Sequence, residues 1–154
     1  MRISVSSDTD EPVARAVVAE LRERGHDVLT YGALRPGDDP RWAVCSGAAA
    51  RDVAAGRSDQ AVVCCWTGTG ASIAANKVPG VRAALCTDAY TADGARRWND
   101  ANVLALGLRL TSGPLLTEIL DAWFAAEAGQ DTDDRENVAY VARLDADRTA
   151  PQDI

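Results

Sequence analysis

Apolar positions along the chain follow two alternating rhythms. Short runs of β-branched or aliphatic residues (Ile3 to Ser6, His26 to Tyr31, Ala61 to Cys65, Val81 to Cys86 and Val103 to Leu106) read as strands. Between them, apolar residues recur at helical spacing. Val13, Ala16, Val17 and Leu21 mark a helix over Glu11 to Arg24, with Pro12 in its first turn and Gly25 at its end. Further helices are expected over Arg41 to Ala55, from the turn after Cys65 into Asn76-Lys77, over Ala89 to Arg97, and over Ser112 to Ala126, where Ser112 is a fitting N-cap. Strands alternating with helices predict an α/β fold: a five-stranded parallel sheet with helices on both faces. Ligands of such folds collect outside the carboxyl ends of the strands, and Asp8, Cys65, Asp88 and Gly107 fall on that edge.

The tail breaks the rhythm. Gln130 to Arg135 is acidic and reads as a loop, and Glu136 to Asp147 carries Val138, Val141 and Leu144 at helical spacing. The expected organisation is one domain over residues 1–127, followed by an acidic loop and an extra C-terminal helix over 128–154. That helix packs either on a neighbouring subunit or on its own domain.

Composition narrows the function classes. The chain has 154 residues, 47% hydrophobic and 25% charged, as in ordinary globular proteins. A net charge of −7 without a basic patch argues against a nucleic-acid surface. No window resembles a membrane span and no signal pattern opens the chain, so a cytoplasmic location is expected. The cysteines Cys45, Cys64, Cys65 and Cys86 include no C-x-x-C, so neither a metal site nor a disulfide framework is expected.

Candidate chemistry concentrates in Cys64-Cys65-Trp66-Thr67-Gly68-Thr69-Gly70-Ala71-Ser72-Ile73-Ala74-Ala75-Asn76-Lys77. A thiol ends a strand, a glycine-punctuated turn follows, and a helix begins. Backbone N–H groups of such a turn can face a negative charge beside the sulfur. A base next to an oxyanion cradle is equipped to remove a proton from carbon adjacent to a carbonyl.

This run, together with Gly80-Val81-Arg82-Ala83-Ala84-Leu85-Cys86, Asn99-Asp100-Ala101-Asn102-Val103-Leu104-Ala105-Leu106-Gly107-x-Arg109 and Asp121-Ala122-Trp123, resembles the ribose-5-phosphate isomerase B / galactose-6-phosphate isomerase (RpiB/LacAB) family. The likeness spans about residues 1–127. It implies a Rossmann-like three-layer αβα sandwich, a homodimer or homotetramer with active sites shared between subunits, and cofactor- and metal-independent interconversion of aldose and ketose. By the resemblance, Cys65 abstracts the proton and Thr67 stands beside it. Gly68 and Gly70 form the turn that stabilises the enediolate, the backbone N–H groups of Thr67 to Gly70 are expected to hold the oxyanion, and Thr69 is expected to bind substrate. Asp8 follows the first strand, Asn99 and Asp100 match an Asn-Asp pair, Arg109 matches a phosphate-binding arginine, and Asp38 the aspartate of an Asp-x-Pro segment.

The sequence departs from the family pattern where substrate is held. Thr9 stands where a histidine is usual, Trp98 where the ring-opening histidine is usual, and Trp66 where a glycine follows the cysteine. Asp133 and Asn137 align with phosphate-reaching arginines, with Arg135 between them. The loss of imidazoles removes a proton shuttle, and the loss of arginines removes charge-assisted contacts to phosphate. Ribose 5-phosphate is thus not the expected substrate. A shorter, open-chain or unphosphorylated carbohydrate fits better.

Each candidate also has a structural alternative. Cys65 could be a buried thiol, Asn99 a turn brace, Arg109 an interface ion pair, Asp8 a loop anchor, and Trp66 and Trp98 either stacking walls or plugs. The expectation is an aldose–ketose isomerase or epimerase acting through a cis-enediolate. The rival is a non-catalytic paralogue or partner subunit that keeps the fold.

Overall fold

A computed structural model describes residues 1–149, the side chains as far as residue 146. In chain order the elements are β1 (Arg2–Ser7), α1 (Pro12–Glu23), β2 (Asp27–Gly32), α2 (Trp42–Ala54), β3 (Gln60–Cys65), α3 (Thr69–Ala75), β4 (Ala83–Leu85), α4 (Ala89–Asn99), β5 (Val103–Gly107), α5 (Gly113–Ala125) and α6 (Thr132–Thr149). All strand pairs are parallel and the sheet order is β2-β1-β3-β5-β4. The α/β fold expected from the sequence is present.

The central strands β3 and β5 are apolar almost throughout because helices cover both of their faces. Their alternate residues supply two cores. Val62, Cys64, Leu104 and Leu106 join Ile3 and Val5 of β1 against Val17, Leu21, Leu116, Ile119 and Trp123 of α1 and α5. Ala61, Val63, Cys65, Val103 and Ala105 face Ala49 and Ala50 of α2 and Ala71 and Ala75 of α3. Small side chains on this second face let α2 and α3 approach the sheet and each other closely.

The order of winding, not the strand direction, reverses at β1: β2 lies on one side of it and β3 on the other. That switch opens a crevice between the carboxyl ends of β1 and β3.

Two expectations from the sequence are corrected. Strand β4 is only Ala83–Leu85, not Val81 to Cys86, because side chains take over its pairing upstream. Asn102 Oδ1 accepts from Arg82 N–H at 2.8 Å, and Asn102 Nδ2 donates to Gly80 O at 2.9 Å. The acidic stretch read as a loop is also the start of a helix. Asp131 Oδ1 accepts from the N–H groups of Asp133 and Asp134 at 2.9 and 3.4 Å, so α6 begins at Thr132 with its acids at the positive end of the helix dipole. Among the described residues no helix is long and apolar enough to cross a membrane.

Candidate active site

Cys65 is the last residue of β3 and its side chain is 4% exposed. The chain then turns through Gly68, whose φ of +77° lies in the left-handed region. Any side chain there would collide: a Cβ would stand 2.5 Å from Leu85 Cδ1 and 2.8 Å from Gly107 N. The turn is therefore pressed against the end of β5. Leu108 N–H donates to Cys65 O and Arg109 N–H to Trp66 O, each at 3.0 Å. Helix α3 starts immediately afterwards and folds back over the thiol, so that Ala71 N–H donates to Cys65 Sγ at 3.4 Å.

This geometry narrows the expected oxyanion cradle. Gly68 N–H already donates to Cys65 O at 3.2 Å, which leaves it no part in holding an anion. Thr69 and Gly70 lie in the first turn of α3, where no helical carbonyl precedes their N–H groups. Those two donors remain, together with the Thr67 N–H, which makes no hydrogen bond among the described residues. The Thr67 and Thr69 hydroxyls are hydrogen-bonded to each other at 2.7 Å beside them.

Asp8 joins Cys65 through strand register. Ser7 pairs with Cys64, which sets Asp8 beside Cys65 at the mouth of the crevice. Burial raises the Asp8 carboxyl above the usual carboxylate range, against the downward pull of the Thr9 hydroxyl and of the N–H groups of Asp8, Thr9 and Trp66. Thr9 is exposed, with its hydroxyl 3.4 Å from Asp8 Oδ1. Burial also raises the neighbouring thiols of Cys64 and Cys45, helped by the nearby Asp8 charge. Cys86 is pushed to about 12, chiefly by burial. All three are buried thiols with free sulfurs.

The cluster holds one further residue that no sequence motif marks. Trp42, the first residue of α2, lays its indole on Gly70, where a Cβ would come within 3.0 Å of the ring. Trp42 is 44% exposed and Trp66, next to Cys65 in sequence, 53% exposed. The available signal was weak: an aromatic opening a helix just after Asp39-Pro40. Arg109 is exposed on the same edge and forms no ion pair with the described residues.

Trp98 and Asn99 lie elsewhere. Helix α4 runs back from the carboxyl edge, where Asp88 caps it by accepting from Thr91 N–H at 2.7 Å, to the amino edge. Its last two residues are therefore separated from Cys65 by the length of β5, about 13 Å for four strand residues. Asp100 is a structural residue. At φ 43° it ends α4 in the left-handed region, while its carboxylate pairs with Arg82 at 2.9 Å. Asp38 forms a 3.7 Å ion pair with Arg35. His26 packs against Phe124, with ring centroids 4.7 Å apart, away from the crevice.

Trp98 and Asn99 instead line a groove of about 650 Å³ between α4, the edge strand β4 and α6. Leu85, Tyr90, Asn137 and Tyr140 complete its walls. Arg135 lies on the other side of Trp98, in a separate depression with Asp134 and Gln130. One chain thus carries two clusters, one at the carboxyl ends of β1 and β3 and one along the edge strand β4. The first holds the thiol, the turn, Asp8 and Arg109; the second holds Trp98, Asn99 and Asn137. Among the described residues no His, Cys, Asp and Glu side chains gather as a metal site.

The family sequence model described as ribose/galactose isomerase matches residues 3–140. The chain belongs to this family. It is similar to ribose-5-phosphate isomerase B of Escherichia coli (strain K12), at 42% identity over 113 residues, which are 72% of this chain and 74% of that protein. It is also similar to the D-erythrulose-4-phosphate isomerase of Pectobacterium atrosepticum, at 38% identity over 107 residues, 70% of each chain. Its fold matches the structure of Clostridium thermocellum ribose-5-phosphate isomerase B with a TM-score of 0.88 and 35% identity, covering 97% of this chain and 100% of the other. Members of the ribose/galactose isomerase family bearing these names are aldose–ketose isomerases.

Proposed function

We propose that this member of the family is a cofactor-independent isomerase that interconverts an aldose and a ketose through a cis-enediolate, with Cys65 as the base. The observation that carries this reading is the placement of the Cys65 sulfur under the N–H groups that open α3, beside Asp8. In the proposed cycle the Cys65 thiolate takes a proton from the carbon that bears the hydroxyl next to the carbonyl, becoming a thiol. The electrons of the broken C–H bond form the enediolate double bond. The N–H groups of Thr69 and Gly70 receive the developing oxyanion. Asp8, its carboxyl raised by burial, carries the hydroxyl proton between the two oxygens. Cys65 then returns the proton to the neighbouring carbon, either directly or through the Thr67 hydroxyl, which takes up the Cys65 proton as it gives its own and so leaves the thiolate restored.

A single chain brings together Cys65, the turn and Asp8 but not Trp98 and Asn99. In our reading those residues reach the thiol of a second copy, and the working enzyme is a homodimer or a homotetramer with shared sites in the cytoplasm. Thr9 and Trp98 offer no imidazole for ring opening, which favours carbohydrate chains already open. The relative named for a four-carbon ketose phosphate is consistent with short substrates in this family.

Proton NMR in D₂O tests the reading, with tetroses, pentoses and hexoses, each with and without phosphate. The expected result is loss of a C1 or C2 proton signal with wild-type protein and none with Cys65→Ala. Full exchange by Cys65→Ala would remove Cys65 as the base.

A further inference from the structure

The turn that follows Cys65 is held at both of its ends. At the first, Thr67 and Gly68 press on the end of β5: a Cβ on Gly107 would stand 2.8 Å from Thr67 O, and one on Gly68 would stand 2.8 Å from Gly107 N. At the second stands the Trp42 ring. A Cβ on Gly70 would lie 3.0, 3.1 and 3.4 Å from Trp42 Cδ2, Cε3 and Cε2. Near-equal distances to three neighbouring ring atoms mean that the indole bears on Gly70 with its face.

The ring is carried by a rigid element. Trp42 opens α2, whose first turn is closed by Val44 and Cys45 N–H groups donating to Arg41 O at 2.8 and 3.0 Å. Arg41 N–H is tied back to Asp39 Oδ1 at 3.0 Å. Further along α2, Ala49 and Ala50 share a core with Ala71 and Ala75 of α3, and Asp52 accepts from Ser4 Oγ of β1 at 2.9 Å. Helix α3 has seven residues, too few to stiffen its own first turn by backbone hydrogen bonds. Trp42 therefore reaches from a helix anchored on the sheet to a helix that needs outside support.

Thr69 and Gly70 carry N–H groups assigned above to the oxyanion, and displacement of such groups by about 1 Å costs about 10² in rate. We infer that Trp42 is a positioning residue: its ring, bearing on Gly70, fixes these donors relative to the Cys65 sulfur. The inference rests on the isomerase reading and deepens it. A ring acting in this way stabilises the transition state and leaves substrate binding nearly unchanged, whereas a ring stacked on the sugar strengthens binding throughout.

Two measurements on the full-length chain test the assignment. The first is D₂O exchange on D-erythrulose, D-ribose and their terminal phosphate esters, followed on the sugar exchanged fastest. Trp42→Ala is expected to lower kcat by about tenfold or more with KM within about twofold, and Trp42→Phe, which keeps a flat ring, to recover most of the loss. Gly70→Ala puts a Cβ against the ring, so its loss of kcat should be at least about threefold smaller in Trp42→Ala than in wild type. A raised KM with kcat unchanged, or equal losses for Gly70→Ala in both backgrounds, would overturn the inference. The second measurement needs no substrate. Backbone ¹⁵N order parameters of Thr69 and Gly70 are expected at about 0.85 in wild type and Trp42→Phe and below about 0.6 in Trp42→Ala, with α5 unaltered. Trp42→Leu, which keeps apolar bulk without a ring, takes the place of Trp42→Ala in both measurements if the latter does not fold. Loosened donors in a protein whose wild type exchanges no sugar would remove the isomerase reading and leave the clamp standing. Donors as rigid in Trp42→Ala as in wild type would remove the clamp, even in an active enzyme.

Discussion

At the scale of single residues the turn after Cys65 is decided by one backbone angle and one gap. Gly68 and Gly80 have nearly the same left-handed φ, +77° and +82°, yet a Cβ on Gly80 would meet nothing within 4 Å, whereas on Gly68 it would strike Leu85 and the backbone of β5. Gly80→Ala therefore isolates the backbone cost, expected at about 1–2 kcal/mol. Gly68→Ala adds the displacement of β5 from β3 and is expected to cost about 1–3 kcal/mol more while also moving Thr69 and Gly70 off the thiol. Urea unfolding of the two variants measures the difference; equal costs would show that the turn is not clamped by β5. The glycines were legible in the sequence because turn chemistry is local. Trp42 was not, since its contact with Gly70 joins residues whose proximity is created only when α2 packs on α3.

Among elements, the link between α2 and the strands is a polar network around one buried carboxylate rather than the alanine face alone. The Asp52 side chain, 5% exposed, accepts from Ser4 Oγ at 2.9 Å, from Arg57 Nε at 2.8 Å and from the Tyr31 hydroxyl. Burial alone would raise its carboxyl, but the bonds from Tyr31, Arg57 and Ser4 prevail and hold it below the ordinary carboxylate value. A carboxylate depressed in the folded state stabilises fully above its unfolded pKa of about 3.9, and that stabilisation is lost as pH falls through the folded value. Wild-type stability should accordingly decline below about pH 4, with a shallower decline in Asp52→Asn, whose stability at neutral pH is lower. Tyr31→Phe should cost about 1.5–3 kcal/mol at pH 7, where the lost bond is to a charged group. Chemical denaturation between acidic and neutral pH checks both, and parallel pH profiles for wild type and Asp52→Asn would show that Asp52 does not carry the linkage. Helical and strand periodicity predicted every element; β1, β3, β5, α1 and α5 bury apolar faces, whereas the apolar positions Val141 and Leu144 of α6 are exposed. The boundaries that failed were those set by side chains: Asn102 replacing strand pairs around Arg82, and Asp131 capping an acidic helix.

For the whole molecule, the decisive feature is that parallel βα units send α4 away from the carboxyl edge, so Asn99 cannot lie beside Cys65 of its own chain. Sequence motifs do not reveal this, because adjacency in a family pattern says nothing about which copy supplies each residue. Exposed apolar side chains accompany both clusters, Trp42, Trp66 and Leu110 with the first and Tyr90, Trp98 and Tyr140 with the second, which is the distribution a covered interface requires. If a two-fold dimer joins the first cluster of one chain to the second cluster of its partner, two inactive variants should repair each other. Cys65→Ala and Asn99→Ala subunits, unfolded together and refolded in equal amounts, form mixed dimers in half of the assemblies. Each mixed dimer has one site bearing both substitutions and one site bearing neither, so the mixture should recover about a quarter of wild-type exchange activity. Each variant refolded alone should stay inactive. Mixtures that remain as inactive as their components would place Cys65 and Asn99 in the same chain's site or remove Asn99 from it, and the two clusters would then have to act separately.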